Sequence, residues 1–227
     1  MDAQQWTAVD KYFDALLVPP DPVLDAALAD SAAAGLPAIH VSPSQGKFLH
    51  TLAVLVGAKN ILEIGTLGGY STIWLARALA SGGRVITLEA MAHHARVARA
   101  NIARAGLSDL VDIRLGPALE TLPKLAAEKR EPFDLIFIDA DKPATADYFN
   151  WAVRLSRRGT LIVVDNVMRK GAIINAASEE PDIVGMRRCI ATMAADKRVT
   201  VAAMQTVGSK GYDGFAIAVV TSEIERR

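Results

Sequence analysis

The sequence has one cysteine, Cys189, in 227 residues. An internal disulfide is therefore excluded, as is any multi-cysteine zinc or iron–sulfur site, and a reducing cytoplasm is the expected compartment. It has no excess of either charge: 25 Lys and Arg balance 25 Asp and Glu. No overall field favours a nucleic acid or an anionic membrane as partner. It has no apolar run long enough to span a bilayer, and Met1-Asp2-Ala3-Gln4-Gln5 carries neither the basic flank nor the apolar stretch of a secretory leader. Internal repeats and low-complexity tracts are missing too. None of His40, His50, His93 and His94 stands at metal-ligand spacing. These absences lead to the expectation of a soluble chain, with local charged patches still open. It is long enough to bury one core and too short for a second full domain.

What is present from Asn60 onward is an alternation of short β-branched runs and helical patterns. Strands are predicted at Ile61–Ile64, Arg84–Leu88, Val111–Leu115, Asp134–Ile138 and Thr160–Val164. Crossover helices are predicted at Tyr70–Ala80, His93–Ala105, Pro117–Lys129 and Thr145–Leu155. The strands are too apolar to leave one face wet, so the pattern implies an α/β fold, a doubly wound, mostly parallel sheet with helices on both faces. Val199–Met204 and Phe215–Val220, joined by a Gly-rich connection, predict a terminal antiparallel hairpin. Pro19, Pro20 and Pro22 break the chain before an Ala-rich helix at Ala26–Ala34. The expected organisation is a single domain over 1–227, with a helical segment at 1–40 and a core at 41–220.

Two regions carry chemistry. After the first strand, Glu63-Ile64-Gly65-Thr66-Leu67-Gly68-Gly69-Tyr70-Ser71 is a glycine-bearing turn opening a helix, where the backbone can approach a ligand closely. Its glycines do not match G-x-G-x-x-G, which weakens a dinucleotide reading and leaves a smaller nucleoside cofactor. Glu89 ends the second strand, where a carboxylate either accepts ribose hydroxyls or caps the next helix. Glu63, at a buried strand end, needs a hydrogen-bond donor or a cation, such as a cofactor amino group. Further on, Ile138-Asp139-Ala140-Asp141-Lys142 and Val164-Asp165-Asn166 close two strands. If those strands are neighbours, Asp139, Asp165 and Asn166 converge at the carboxyl edge of the sheet. Their oxygens suit a hard ion such as Mg2+, with Mn2+ or Ca2+ as alternatives. Asp141 capping a helix near Pro143, with Asp165-Asn166 forming a turn, is the structural alternative.

Taken in order, Ser42-Pro43-Ser44-Gln45-Gly46-Lys47-Phe48-Leu49, the Glu63–Ser71 turn, Gly116-Pro117-Ala118, Ile138–Lys142 and Asp165-Asn166 resemble the class I, metal-dependent O-methyltransferases of the caffeoyl-CoA and catechol type. The resemblance runs from about Val41 to Val220 and implies a seven-stranded sheet, S-adenosylmethionine as methyl donor and a divalent metal. It implies that Val41, Glu63, Gly65, Ser71, Glu89, Ala118, Asp139 and Asp141 surround the donor. It places the metal on Asp139, Asp165 and Asn166, and gives Lys142 the role of general base beside a catechol-like hydroxyl. The family's dimers, together with Trp6, Tyr12 and Phe13 on the first helix, imply a homodimer. Two departures are evident: Glu89 replaces the aspartate common in the plant enzymes, and Arg169-Lys170-Gly171 stands where those enzymes place a tryptophan. Neither a coenzyme A thioester nor a named phenol is therefore carried over; Arg169-Lys170 either attracts an acidic acceptor or is a solvated basic pair, and the second reading is preferred. Cys189 lies in a patterned helix, Ile183–Ala194, as a core thiol. The rival functions are an NAD-dependent oxidoreductase on a similar sheet and a non-catalytic small-molecule binding module.

Overall fold

A computed structural model describes residues 2–224. Three helices come first: α1 (Ala3–Leu17), α2 (Pro22–Ala33) and α3 (Pro43–Leu55). Each has a side-chain cap, Asp2, Asp21 and Ser42 accepting from backbone N–H groups of the first turn, and Pro22 and Pro43 stand at first-turn positions where no N–H is needed. The alternation then runs β1 (Asn60–Ile64), α4 (Tyr70–Ala76), β2 (Arg84–Glu89), α5 (Ala92–Arg104), β3 (Val111–Leu115), α6 (Ala118–Ala127) and β4 (Phe133–Ile138). It continues through α7 (Thr145–Arg154), β5 (Ser156–Asp165), α8 (Pro181–Ala195), β6 (Val199–Gly208) and β7 (Gly211–Val220). Among the described residues no helix is long and apolar enough to cross a membrane.

The seven strands form one sheet in the order β3-β2-β1-β4-β5-β7-β6. β1 to β5 pair in parallel, while β7 runs antiparallel to both β5 and β6, as the expected hairpin requires. Alternate residues of each central strand feed two cores. Leu62, Ile64, Ile136 and Ile138 pack with Leu122, Phe149, Met186 and Cys189 of α6, α7 and α8. Ile61, Val85, Leu135 and Phe137 pack on the other face with Leu49, Ile73 and Ile102 of α3, α4 and α5. A sheet covered on both faces is the reason its strands read as continuous apolar runs. Chain order reverses between β1 and β4, and the crevice beyond their carboxyl ends is where such sheets bind ligands.

Several element boundaries differ from expectation, among them the start of α2, at Pro22 in place of Ala26. α4 ends at Ala76 because the chain turns back early, Ala80 N–H donating to the Ala58 carbonyl at 2.9 Å. β5 begins at Ser156, before the expected Thr160. The hairpin strands extend to Gly208 and Gly211, so the connection is only Ser209-Lys210 and the expected Gly-rich loop is mostly strand.

Candidate active site

The glycine turn is built by close approach. β1, β2 and β4 stay hydrogen-bonded as they end, Gly65 N–H donating to the Leu88 carbonyl (3.0 Å) and Asp139 N–H to that of Ile64 (2.9 Å). Gly65 has φ +103°, and a Cβ there would lie 2.0 Å from the Asp139 carbonyl oxygen, so a side chain is excluded on both counts. The turn is held from the other side by Glu89. Its Oε2 accepts from Leu67 N–H (2.8 Å) and Thr66 N–H (3.3 Å), its Oε1 from Met91 N–H (2.9 Å), and His94 Nδ1 stands 3.5 Å away. Glu89 therefore organises backbone around itself as well as facing the cavity.

Glu63 lies beneath this turn, fully buried, and is not part of the cavity wall. Burial pushes its carboxyl up to about 7, opposed by hydrogen bonds from Ser71 Oγ (2.6 Å), Thr72 Oγ1 (2.5 Å) and Thr87 Oγ1 (2.7 Å). Three hydroxyls thus supply the donors that the sequence left open for it.

The second half is assembled by strand register. Ile138 pairs with Val164, so Asp139 and Asp165 follow side by side at adjacent strand ends. Lys142, itself buried, donates from Nζ to Asp139 Oδ1 at 2.9 Å. Asp165 accepts from Gln45 Nε2 (2.7 Å) and from Asn166 N–H (2.8 Å). Burial, and then the negative charge of Asp139, push the Asp165 carboxyl up to about 7 against the pull of Lys142. Asp141 accepts from the Tyr148 hydroxyl, and burial followed by that carboxylate holds the phenol well above its ordinary range. Among the described residues no cluster of three or more His, Cys, Asp or Glu surrounds a point as a metal site would. The donor set is two crowded carboxylates and the neutral amide of Asn166. Lys142 offsets part of their charge, and oxygen donors of this kind fit a hard divalent cation.

A single cavity of about 520 Å3 runs across both halves. Residues at or after the ends of β1, β2 and β3 (Gly65, Glu89, Met91, His94 and Ala118) line it together with residues after β4 and β5 (Asp139, Lys142, Asn166, Arg169 and Asp182), with Val41, Ser71 and Asp141 also on the wall. Asp165 is buried and not on the wall itself, standing directly beside Asp139 at its edge. Sequence reasoning did not name Met91 and discounted His40 and His94 for want of ligand spacing, yet all three are on the cavity wall. His94, five residues past Glu89 on the first turns of α5, was the one with a positional signal. It also assigned no role to Gln45, although that residue lies in the quoted 42–49 motif. Arg169, read as solvated, lines the cavity and pairs with Asp182 at 2.7 Å, while Lys170 is exposed.

A family model described as O-methyltransferase matches residues 21–217. The chain belongs to the O-methyltransferase family. It is 54% identical over 220 residues to a catechol O-methyltransferase of Niastella koreensis, covering 97% of this chain and all of that one. With a catechol O-methyltransferase of Mycobacterium tuberculosis it shares 55% over 212 residues, 93% of this chain and 94% of the other. The fold superposes with a TM-score of 0.96 on an O-methyltransferase from Bacillus cereus solved in complex with SAH, 57% identical over 97% of this chain and 100% of that chain. The expected family and the seven-stranded fold are borne out, as is the reading of the chain as an S-adenosylmethionine-dependent O-methyltransferase. Membership of this O-methyltransferase family sets aside the oxidoreductase and the non-catalytic module. Cys189, buried with its thiol pushed up to about 12 chiefly by desolvation, is the core residue expected.

Proposed function

We propose that this O-methyltransferase transfers the methyl group of S-adenosylmethionine to one hydroxyl of a catechol-like phenol, with a divalent cation held by Asp139, Asp165 and Asn166. The observation that carries the reading is the single cavity whose wall combines the glycine turn and Glu89 with Asp139, Lys142 and Asn166. Two relatives more than half identical that bear the name catechol O-methyltransferase support the same class of acceptor.

In this reading Glu89 has two tasks. It fixes the turn through three backbone N–H groups and retains acceptor capacity for ribose hydroxyls. The Gly65 backbone, without a side chain, allows the donor to approach β1 and β4. The cation supplies acidification of a bound hydroxyl and a fixed position for its oxygen. Gln45 orients Asp165 for its share of that cation. Lys142, 2.9 Å from Asp139, stands beside the reacting hydroxyl and, as its neutral amine, would accept that proton. Holding nucleophile and methyl donor in one cavity supplies the proximity contribution, which in well-oriented systems reaches roughly 7 to 11 kcal/mol. The exposed Tyr12, Phe13, Leu16 and Leu17 of α1, a helix with no buried residue, favour a homodimer as the working form.

The test is removal of metal. Chelation by EDTA abolishes methyl transfer to catechol and added Mg2+ or Mn2+ restores it. Full activity after verified metal removal refutes the cation's role.

A further inference from the structure

Arg169 sits where the acceptor has to lie. It follows Asn166 by three residues, lines the same cavity as Asp139 and Lys142, and its side chain is only 26% exposed. Its partner Asp182 opens α8, and one turn later Gly185 packs against Lys142, where a Cβ would come within 2.5 Å of the Lys142 carbonyl oxygen. Arg169, Asp182 and Lys142 are thereby held in one corner.

The backbone there is strained and braced. Arg169, Lys170 and Gly171 have φ of 49°, 53° and 86°, and two successive non-glycine residues in the left-handed region persist only where the surroundings enforce it. The brace is Asp213 of β7, whose Oδ1 accepts from Met168 N–H (3.0 Å) and Arg169 N–H (3.1 Å). The guanidinium this positions is under-used. It donates to Asp182 through Nη2 alone, and among the described residues it has no other acceptor. Asp182 is 48% exposed, so water screens its charge more than that of Arg169. A planar fork with free N–H groups on a cavity wall matches a carboxylate.

We propose that Arg169 binds a carboxylate on the methyl acceptor, which makes aromatic acids bearing adjacent hydroxyls the preferred substrate class over neutral catechols. The proposal rests on the reading of this cavity as the site of methyl transfer to a catechol. Arg169 sets specificity and takes no proton; Asp182 competes with the substrate for it.

The experiment compares kcat/KM for 3,4-dihydroxybenzoate with that for catechol, at saturating S-adenosylmethionine and Mg2+, in the wild type, Arg169→Gln, Arg169→Lys and Asp182→Asn. Calorimetric affinity for 3,4-dihydroxybenzoate in the presence of S-adenosylhomocysteine gives a readout independent of turnover. In Arg169→Gln the acid-to-neutral ratio falls about ten- to a hundredfold, the value of a charge-assisted hydrogen bond. Arg169→Lys, which keeps the charge and loses the fork, retains part of it. Asp182→Asn raises the ratio, an effect of opposite sign that damage to the fold does not produce. An unchanged ratio in Arg169→Gln, or an unchanged or lowered one in Asp182→Asn, overturns the proposal and leaves methyl transfer to catechols standing. A wild-type protein that methylates neither acceptor overturns that reading and the proposal with it.

Discussion

Replacing Glu89 by alanine removes two things at once, and the structure gives the size of each. Leu67, Thr66 and Met91 lose the acceptor of their N–H groups, now 2.8, 3.3 and 2.9 Å from the carboxylate. A donor left unpaired costs about 1 to 3 kcal/mol, and since water can enter the cavity the low end applies, about 3 kcal/mol for the three. In a chain of this length that lowers Tm by about 6 to 12 °C. The methyl donor separately loses charge-assisted hydrogen bonds to its ribose, worth about 1.5 to 3 kcal/mol, or roughly ten- to a hundredfold in Kd. Glu89→Gln is also impaired, because both carboxylate oxygens accept N–H groups and an amide must turn its NH2 toward one of them. Glu89→Asp keeps the charge and most of the donor affinity. Scanning calorimetry measures the first effect and titration with S-adenosylhomocysteine, corrected for folded fraction, the second. A Glu89→Ala protein with wild-type Tm and affinity refutes both roles; a lowered Tm with undiminished affinity reduces Glu89 to an anchor of the turn.

Gly65→Ala forces a Cβ to within 2.0 Å of the Asp139 carbonyl at φ +103°, and strain plus overpacking destabilise the fold by about 2 to 6 kcal/mol, read by urea denaturation. A wild-type midpoint contradicts the close approach. Asp165→Ala abolishes methyl transfer while donor affinity stays near wild type, and Asn166→Ala does so less completely because it removes a neutral ligand; parallel loss of donor affinity and Tm instead identifies a merely structural turn. Asp134 is tested through pH. Burial raises its carboxyl, but the N–H groups of Asn60 and Lys59 and the Arg157 guanidinium outweigh that and hold it below the ordinary range. A depressed folded value gives stability that is complete above the unfolded carboxylate pKa, about 3.9, and fades as pH falls through the folded one. Asp134→Ala is thus less stable than wild type at neutral pH, with the gap closing below about pH 4; a gap constant from pH 7 to 3 contradicts this.

β1, β2, β4 and β5 were legible because burial on both faces leaves a run of apolar residues, whereas the edge strand β3 was legible from the alternation of Val111, Ile113 and Leu115 with Asp112 and Arg114. β6 was legible only in part: as an edge strand it tolerates Gln205 and Thr206, whose polarity hid its extension to Gly208. Asp139, Asp165 and Asn166 could be found because strand ends place them, and neighbouring strands need only be guessed. What could not be read were pairings across long stretches of chain. Gln45 reaches Asp165 over 120 residues, Thr87 meets Glu63 over 24, and Asp213 supports Arg169 over 44. Glu63 shows the limit most clearly, since a buried carboxylate announces a need for partners and nothing local says which ones answer it. Arg169 was misread for the same reason: exposure, which separates a solvated pair from a cavity wall, belongs to the fold.

The bracing of residues 168 and 169 by Asp213 bears on how such an enzyme changes over time. The glycine turn hangs from β1, β2 and β4, whereas the segment after Asn166 hangs from β7 and from Asp182 on α8. The two loops share a cavity without sharing supports. If Arg169 selects the acceptor as proposed, mutations at 169, 182 or 213 exchange one acceptor for another while the donor seat stays intact, so descendants of one ancestor diversify their substrates without relearning how to hold the methyl group.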